Sequence, residues 1–112
     1  MRHQRLNAYR IMWLFVFFDL PTNTKKERRT AQQFRKKLKK DGFTMMQYSV
    51  YTRHCASFES AQVHLKRINA MIPKAGQVSI LQITDKQYGN ILNFWGAATK
   101  PMESSPQQLE LF

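Results

Sequence analysis

One aspartate is the most suggestive chemical group in this sequence. Asp19 lies within the stretch "IMWLFVFFDLPTN" (Ile11 to Asn23), where the apolar run Ile11 to Phe18 meets a carboxylate and the chain then turns at Leu20-Pro21. A carboxylate there starts a turn or caps the next helix. It is also a hard oxygen ligand of the kind divalent cations take, and phosphodiester hydrolysis uses a metal-bound water. A lone carboxylate is too little for that chemistry. Two copies of Asp19 facing each other across a dimer axis would hold one Mg2+, with waters and phosphate oxygens completing its shell. Asp19 is therefore a turn residue in one copy, and a candidate catalytic and metal-binding residue in two.

The other reactive side chains have weaker settings. His54 and Cys55 are neighbours on a predicted strand, so they point to opposite faces, and His64 belongs to a helix. With no second cysteine, ordinary packing or exposure is favoured over a zinc site. Ser49 has no Ser-His-Asp arrangement around it. Asp85 is expected to cap the turn after its strand.

Positive charge is the second chemical signal. Between Thr24 and Asp41 the acids are Glu27 and Asp41, against Lys25, Lys26, Arg28, Arg29, Arg35, Lys36, Lys37, Lys39 and Lys40. At about 100° per residue, Lys25, Arg29, Lys36 and Lys40 form a stripe opposite Ala31, Phe34 and Leu38, with Arg28, Arg35 and Lys39 on its flank. A solvated helix face is the plain alternative. The scarcity of acids for i,i+4 pairing favours phosphate contact instead. The candidate nucleic-acid-binding set is Lys25, Arg28, Arg29, Lys36 and Lys40. Such contacts position a duplex without reading its sequence.

The whole chain agrees with that reading. Its 18 Lys+Arg against 7 Asp+Glu give a formal net charge of +11, which suits a polyanionic partner. No amphipathic helix pairs an aromatic face with a basic one, which sets a membrane surface well behind nucleic acid. The basic start followed by an apolar run imitates a signal peptide, yet it meets Asp19-Leu20-Pro21 instead of a small-residue cleavage site. One cysteine, Cys55, fits a reducing compartment, and a soluble cytoplasmic protein is expected.

The elements that must position these groups follow from periodicity. Ile11 to Phe18 is apolar at both parities and reads as a central strand covered on both faces. Thr22, Asn23 or Thr24 caps a helix to about Lys40, with Asp41-Gly42 as its stop. Phe43 to Cys55 reads as one bent strand or two short ones. Ser57 caps a second helix to about Ile72, burying Ala61, Leu65, Ile68 and Ile72. Gln77 to Thr84 reads as a strand half covered on each side, and "DKQYGN" as a turn. Ile91 to Trp95 reads as a short strand, Gly96 to Pro106 as a polar linker, and "QQLELF" as an alternating segment able to join a sheet edge.

Strand, helix, strands, helix, strand gives an α+β sandwich of the split βαβ type, both helices on one face. That leaves the other face of the central strand bare, which predicts a second copy packed sheet to sheet. An RNA-recognition module shares this topology. Its signature finds only Gly42, Phe43 and Tyr48 in "DGFTMMQY", so a non-catalytic RNA-binding module is the weaker alternative.

The segments "WLFVFFDLPTNTKKERR", "KDGFTMMQYSVYTRHC", "ITDKQYGN" and "QQLELF", in this order, resemble the Cas-two family of small CRISPR-associated proteins, particularly the branch found beside single-effector systems. The resemblance covers Met12 to Phe112. It implies a ferredoxin-like βαββαβ domain over residues 12–95, a basic N-terminal extension over 1–11, and a linker with a short extra C-terminal strand over 96–112. It further implies a homodimer that bridges dimers of the larger CRISPR integrase subunit and holds double-stranded DNA during spacer acquisition. Members of the family are described as Mg2+-dependent endonucleases acting on RNA or double-stranded DNA. Their metal-ligating aspartate matches Asp19. Some carry a second acid where this sequence has Phe17, so a metal site here would lean on the dimer mate.

Overall fold

The computed structural model describes residues 11–99. Residues 1–10 of the expected basic extension over 1–11, and the terminal "QQLELF", lie outside the described residues. The central strand is β1, Met12–Asp19. It pairs antiparallel with β3 (Val50–Cys55) on one side and β4 (Gln77–Thr84) on the other, and β2 (Thr44–Gln47) extends the sheet beyond β3 in the order β2-β3-β1-β4. Helix α1 (Lys25–Lys40) follows β1, and α2 (Phe58–Met71) follows β3. This is the ferredoxin-like βαββαβ arrangement.

Local chemistry fixes where each helix begins. Of the three candidate caps, Thr24 takes the role: its hydroxyl accepts the Glu27 N–H, and the Glu27 carboxylate accepts the Thr24 N–H in return. Ser57 caps α2 through the Ser60 N–H. Both helices lie on one face, because Leu14, Val16 and Phe18 of β1 share a single buried cluster with Phe34 and Leu38 of α1 and Ala61 and Ile68 of α2. Each such large apolar side chain contributes about 1.5 to 3 kcal/mol by leaving water, an upper figure.

Four expectations are corrected. Ile72 is not part of the buried stripe of α2, since the helix ends at Met71 and Ile72 stands exposed; His64 takes that interior place. The "DKQYGN" stretch is helical, with α3 at Asp85–Gly89, because Thr84 and Gln87 form a second reciprocal cap. Asp85 is therefore not the cap; its carboxylate accepts the Trp13 indole N–H at 2.7 Å. Finally, the strand expected at Ile91 to Trp95 shrinks to β5 (Phe94–Trp95). It pairs with β6 (Ala98–Thr99), inside the expected linker, and joins no strand of the main sheet.

Helix α3 also changes the account of the bare sheet face. Tyr88 stacks on Trp13 with ring centroids 3.6 Å apart and lies 6.0 Å from Phe15. Phe15 is only 4% exposed in a single chain as a result. What stays uncovered is Phe17, 38% exposed toward the Asp19 end, and Leu81, 47% exposed on β4 opposite Phe15. No helix among the described residues is long and apolar enough to cross a membrane.

Candidate functional site

Alternation along β1 sends Leu14, Val16 and Phe18 to the helices, so Phe17 and Asp19 face the other way. Asp19 sits opposite Gln77, the first residue of β4. Just before it, Gly76 holds φ +96°, and a Cβ there would lie 2.7 Å from the Asp19 carbonyl oxygen. Only glycine lets the two chains pass so closely. On the other side the turn between β2 and β3 approaches, with the Phe18 N–H donating to the Ser49 carbonyl at 3.1 Å. The result is a shallow recess of about 340 Å3, lined by Phe17, Phe18, Asp19, Tyr48, Ser49, Val50, Gln77 and Ser79.

Within that recess Asp19 is exposed, and among the described residues its carboxylate has no hydrogen-bond or ion-pair partner. The contrast with three other acids is informative. Glu27 is used by the cap of α1, Asp85 by Trp13, and Asp41 by two cations. For a hard cation such as Mg2+ the donors of the recess are right in kind, a carboxylate beside hydroxyl and amide oxygens. They are too few in charge. Among the described residues no three His, Cys, Asp or Glu side chains gather, so one chain alone does not complete such a site.

The basic stripe occupies a different layer. Lys25, Arg28, Arg29, Lys36 and Lys40 are all exposed on α1, whose Ala31, Phe34 and Leu38 are buried against the sheet. Sixteen residues make the helix about 24 Å long. The stripe thus lies on the helix side of the sandwich and the Asp19 carboxylate on the sheet side. On the Asp19 side α1 reaches the recess through Arg35, which donates to Tyr48; its far end meets β3, where the Arg53 Nε–H donates to the Asp41 carbonyl at 2.8 Å. Arg28 spends part of its guanidinium on its own backbone, donating to the carbonyls of Thr22 and Asn23. The predicted site residues therefore form two sites, not one.

Two side-chain constellations are not visible in the sequence pattern. Asp41 accepts from His64 Nδ1 and from Arg67, each at 2.7 Å, which ties the end of α1 to α2. Burial works against its charge, but these two partners outweigh it and hold the carboxyl below its usual range. The spacing of His64 and Arg67, three apart on one helix face, is the legible half of this cluster. Arg35, expected on the basic flank, is half-buried and inward: it lies over Phe18 and over the ring of Tyr48, and donates to the Tyr48 hydroxyl at 3.0 Å. Cys55 is buried, and that burial pushes its thiol up, while His54 points outward, so the pair is split as expected.

Known proteins with similar sequences share one description. The family model for CRISPR associated protein Cas2 matches residues 12–91. The CRISPR-associated endoribonuclease Cas2 of Flavobacterium psychrophilum is 53% identical over 98% of this chain and 96% of its own length. That of Parvibaculum lavamentivorans is 54% identical over 90% of this chain and 100% of its own, and that of Ligilactobacillus salivarius 40% identical over 87% and 96%.

Proposed function

The chain belongs to the Cas2 family of CRISPR-associated proteins, and we propose that it serves spacer acquisition in the cytoplasm as a duplex-DNA-binding scaffold. In this reading a homodimer, joined by the larger CRISPR integrase subunit, presents its basic helices to the phosphate backbone. The observation that carries it is the exposed, nearly acid-free outer face of α1, about 24 Å of Lys and Arg. The partly uncovered sheet face, with Phe17 and Leu81 exposed, supports the dimer. The test is duplex binding across a salt series. Replacing Lys25, Arg29, Lys36 and Lys40 with glutamine should flatten the slope of log K against log salt by about 0.9 for every phosphate that is no longer neutralised. A slope unchanged in the variant would sink the scaffold reading.

A second reading rests on Asp19. The same homodimer acts as a Mg2+-dependent endonuclease, the two Asp19 carboxylates holding the ion. Support comes from the unpartnered carboxylate in an open recess, and from relatives whose names describe them as endoribonucleases, which points to RNA as the substrate. The ion, when bound, supplies a water of lowered pKa as nucleophile. The chain's own part is to hold Asp19 at the recess rim, close against Gly76, with Ser49, Gln77 and Ser79 beside it. Asp19→Asn should abolish RNA cleavage in Mg2+ and leave duplex binding intact; equal turnover by wild type and variant would exclude this reading.

A further inference from the structure

We infer that Tyr48 is a base-stacking residue of the Asp19 recess and that Arg35 positions it, so that the recess takes an unpaired nucleotide of an RNA strand. This deepens the endonuclease reading and rests on it for the identity of the strand. Tyr48 lines the same recess as Asp19, yet it is 75% exposed. A tyrosine so exposed is ordinarily free to rotate. Here the Arg35 guanidinium lies 4.8 Å from the ring centroid, and a hydrogen bond of 3.0 Å holds the hydroxyl. Arg35 is itself seated against Phe18 at 5.6 Å, so the clamp is anchored in the core.

The backbone is arranged around the same residue. The pairing of β2 with β3 slips between Met45 and Gln47, and an irregularity of that kind re-aims the side chains next to it. Immediately after Tyr48, Ser49 holds φ +66°, a left-handed conformation that costs about 1 kcal/mol or more for a residue other than glycine. Its carbonyl accepts from the Phe18 N–H, which fastens the strained turn to β1 one residue before Asp19. Cation on one face of the ring leaves the other face for a partner. An unpaired base is the partner of matching chemistry beside a carboxylate that would handle the strand's phosphate, because every base offers a π-face and stacking tolerates any sequence.

The test measures binding of a short single-stranded oligoadenylate RNA carrying one 2-aminopurine, in EDTA so that no strand is cut. Tyr48→Ala should weaken binding about tenfold and abolish the quenching of 2-aminopurine. Tyr48→Phe, which keeps the ring and loses only the hydroxyl, should restore both to near the wild-type level. Arg35→Met, which keeps the packing on Phe18 and removes the clamp, should fall between them. Duplex binding by Tyr48→Ala should match wild type. Full strand binding by Tyr48→Ala, or equal losses in the Ala and Phe variants, would overturn the stacking role. Because the assay needs no catalysis, its outcome is separate from that of Asp19→Asn: full cleavage by that variant would remove the endonuclease reading while a loss in Tyr48→Ala still establishes stacking.

Discussion

Asp41 and Asp19 each close a secondary-structure element, and they have opposite fates. Asp41, at the end of α1, is drawn inward between His64 and Arg67, its carboxyl held below its ordinary range. Asp19, at the end of β1, is exposed and partnerless among the described residues. A chain with so few acids and so many bases could have neutralised both. It neutralised the one that joins its helices and left free the one in an open recess. A satisfied charge contributes to the fold; an unsatisfied one is available to a ligand.

The largest effect is expected from the free carboxylate. Asp19→Asn should lower Mg2+-dependent RNA cleavage at least a hundredfold, about 2.7 kcal/mol of barrier. The same change should move the unfolding free energy by less than about 0.5 kcal/mol, since the carboxylate holds nothing in place. Cleavage assays and denaturant titration on the same preparation separate the two numbers. A large loss of stability with Asp19→Asn would erase the contrast with Asp41.

The reverse pattern is expected for the satisfied carboxylate. Asp41→Asn should cost about 2 to 3 kcal/mol of stability by leaving His64 and Arg67 poorly matched, with duplex binding per folded molecule unchanged. At this chain length that is a fall of about 10 °C or more in Tm. Acid should remove the difference. The Asp41 carboxyl is held below its ordinary value of 3.8, so its contribution is complete above that value and is lost as pH falls through the lowered one. Thermal melts of wild type and variant should therefore converge below about pH 3.8. A gap that stayed constant through that range would show that packing, not charge, holds α1 to α2.

The two carboxylates also differ in how legible they are in the sequence. Asp19 is readable because an unbroken apolar run announces a central strand, and a charge at its end is conspicuous. Helix α1 is readable for the same reason, its basic and apolar residues separating cleanly at 3.6-residue spacing. Asp41 reads only as a helix stop, since its partners come from a helix that starts at Phe58, and sequence periodicity says nothing about which helix ends meet. Arg35 reads as flank because charge alone suggests solvent, while the rings of Phe18 and Tyr48 give its planar guanidinium a surface to lie on. The cover over Phe15 is hidden because "DKQYGN" looks like a turn until the Thr84–Gln87 reciprocal cap is seen.

Gly76 offers a way to disturb Asp19 without touching its carboxylate. A methyl group at this position meets the Asp19 carbonyl oxygen at 2.7 Å and must also be carried at φ +96°. Gly76→Ala should therefore cost about 1 to 2 kcal/mol in stability and shift the strand end that carries the carboxylate. RNA cleavage should fall more than that stability loss explains, measured well below the unfolding transition, while duplex binding through α1 stays at the wild-type level. Unchanged cleavage would mean that the position of Asp19 is set from its other side, by the Phe18 to Ser49 hydrogen bond.

Freedom by itself does not make a carboxylate functional, and Glu59 is the control. It too is exposed and without a partner among the described residues, but it lies in the first turn of α2, where the helix dipole is its company. No recess of the Asp19 kind surrounds it; the aromatic and hydroxyl groups that line that recess come from β1, the β2–β3 turn and β4. Glu59→Gln should then lower stability by only about 0.3 to 0.5 kcal/mol, through removal of a favourable charge at the helix start. Cleavage and nucleic-acid binding should stay within about twofold of wild type. A cleavage defect comparable to that of Asp19→Asn would mean that any surface acid serves, and that the enclosure built around Asp19 by Gly76, Tyr48 and Ser49 is incidental.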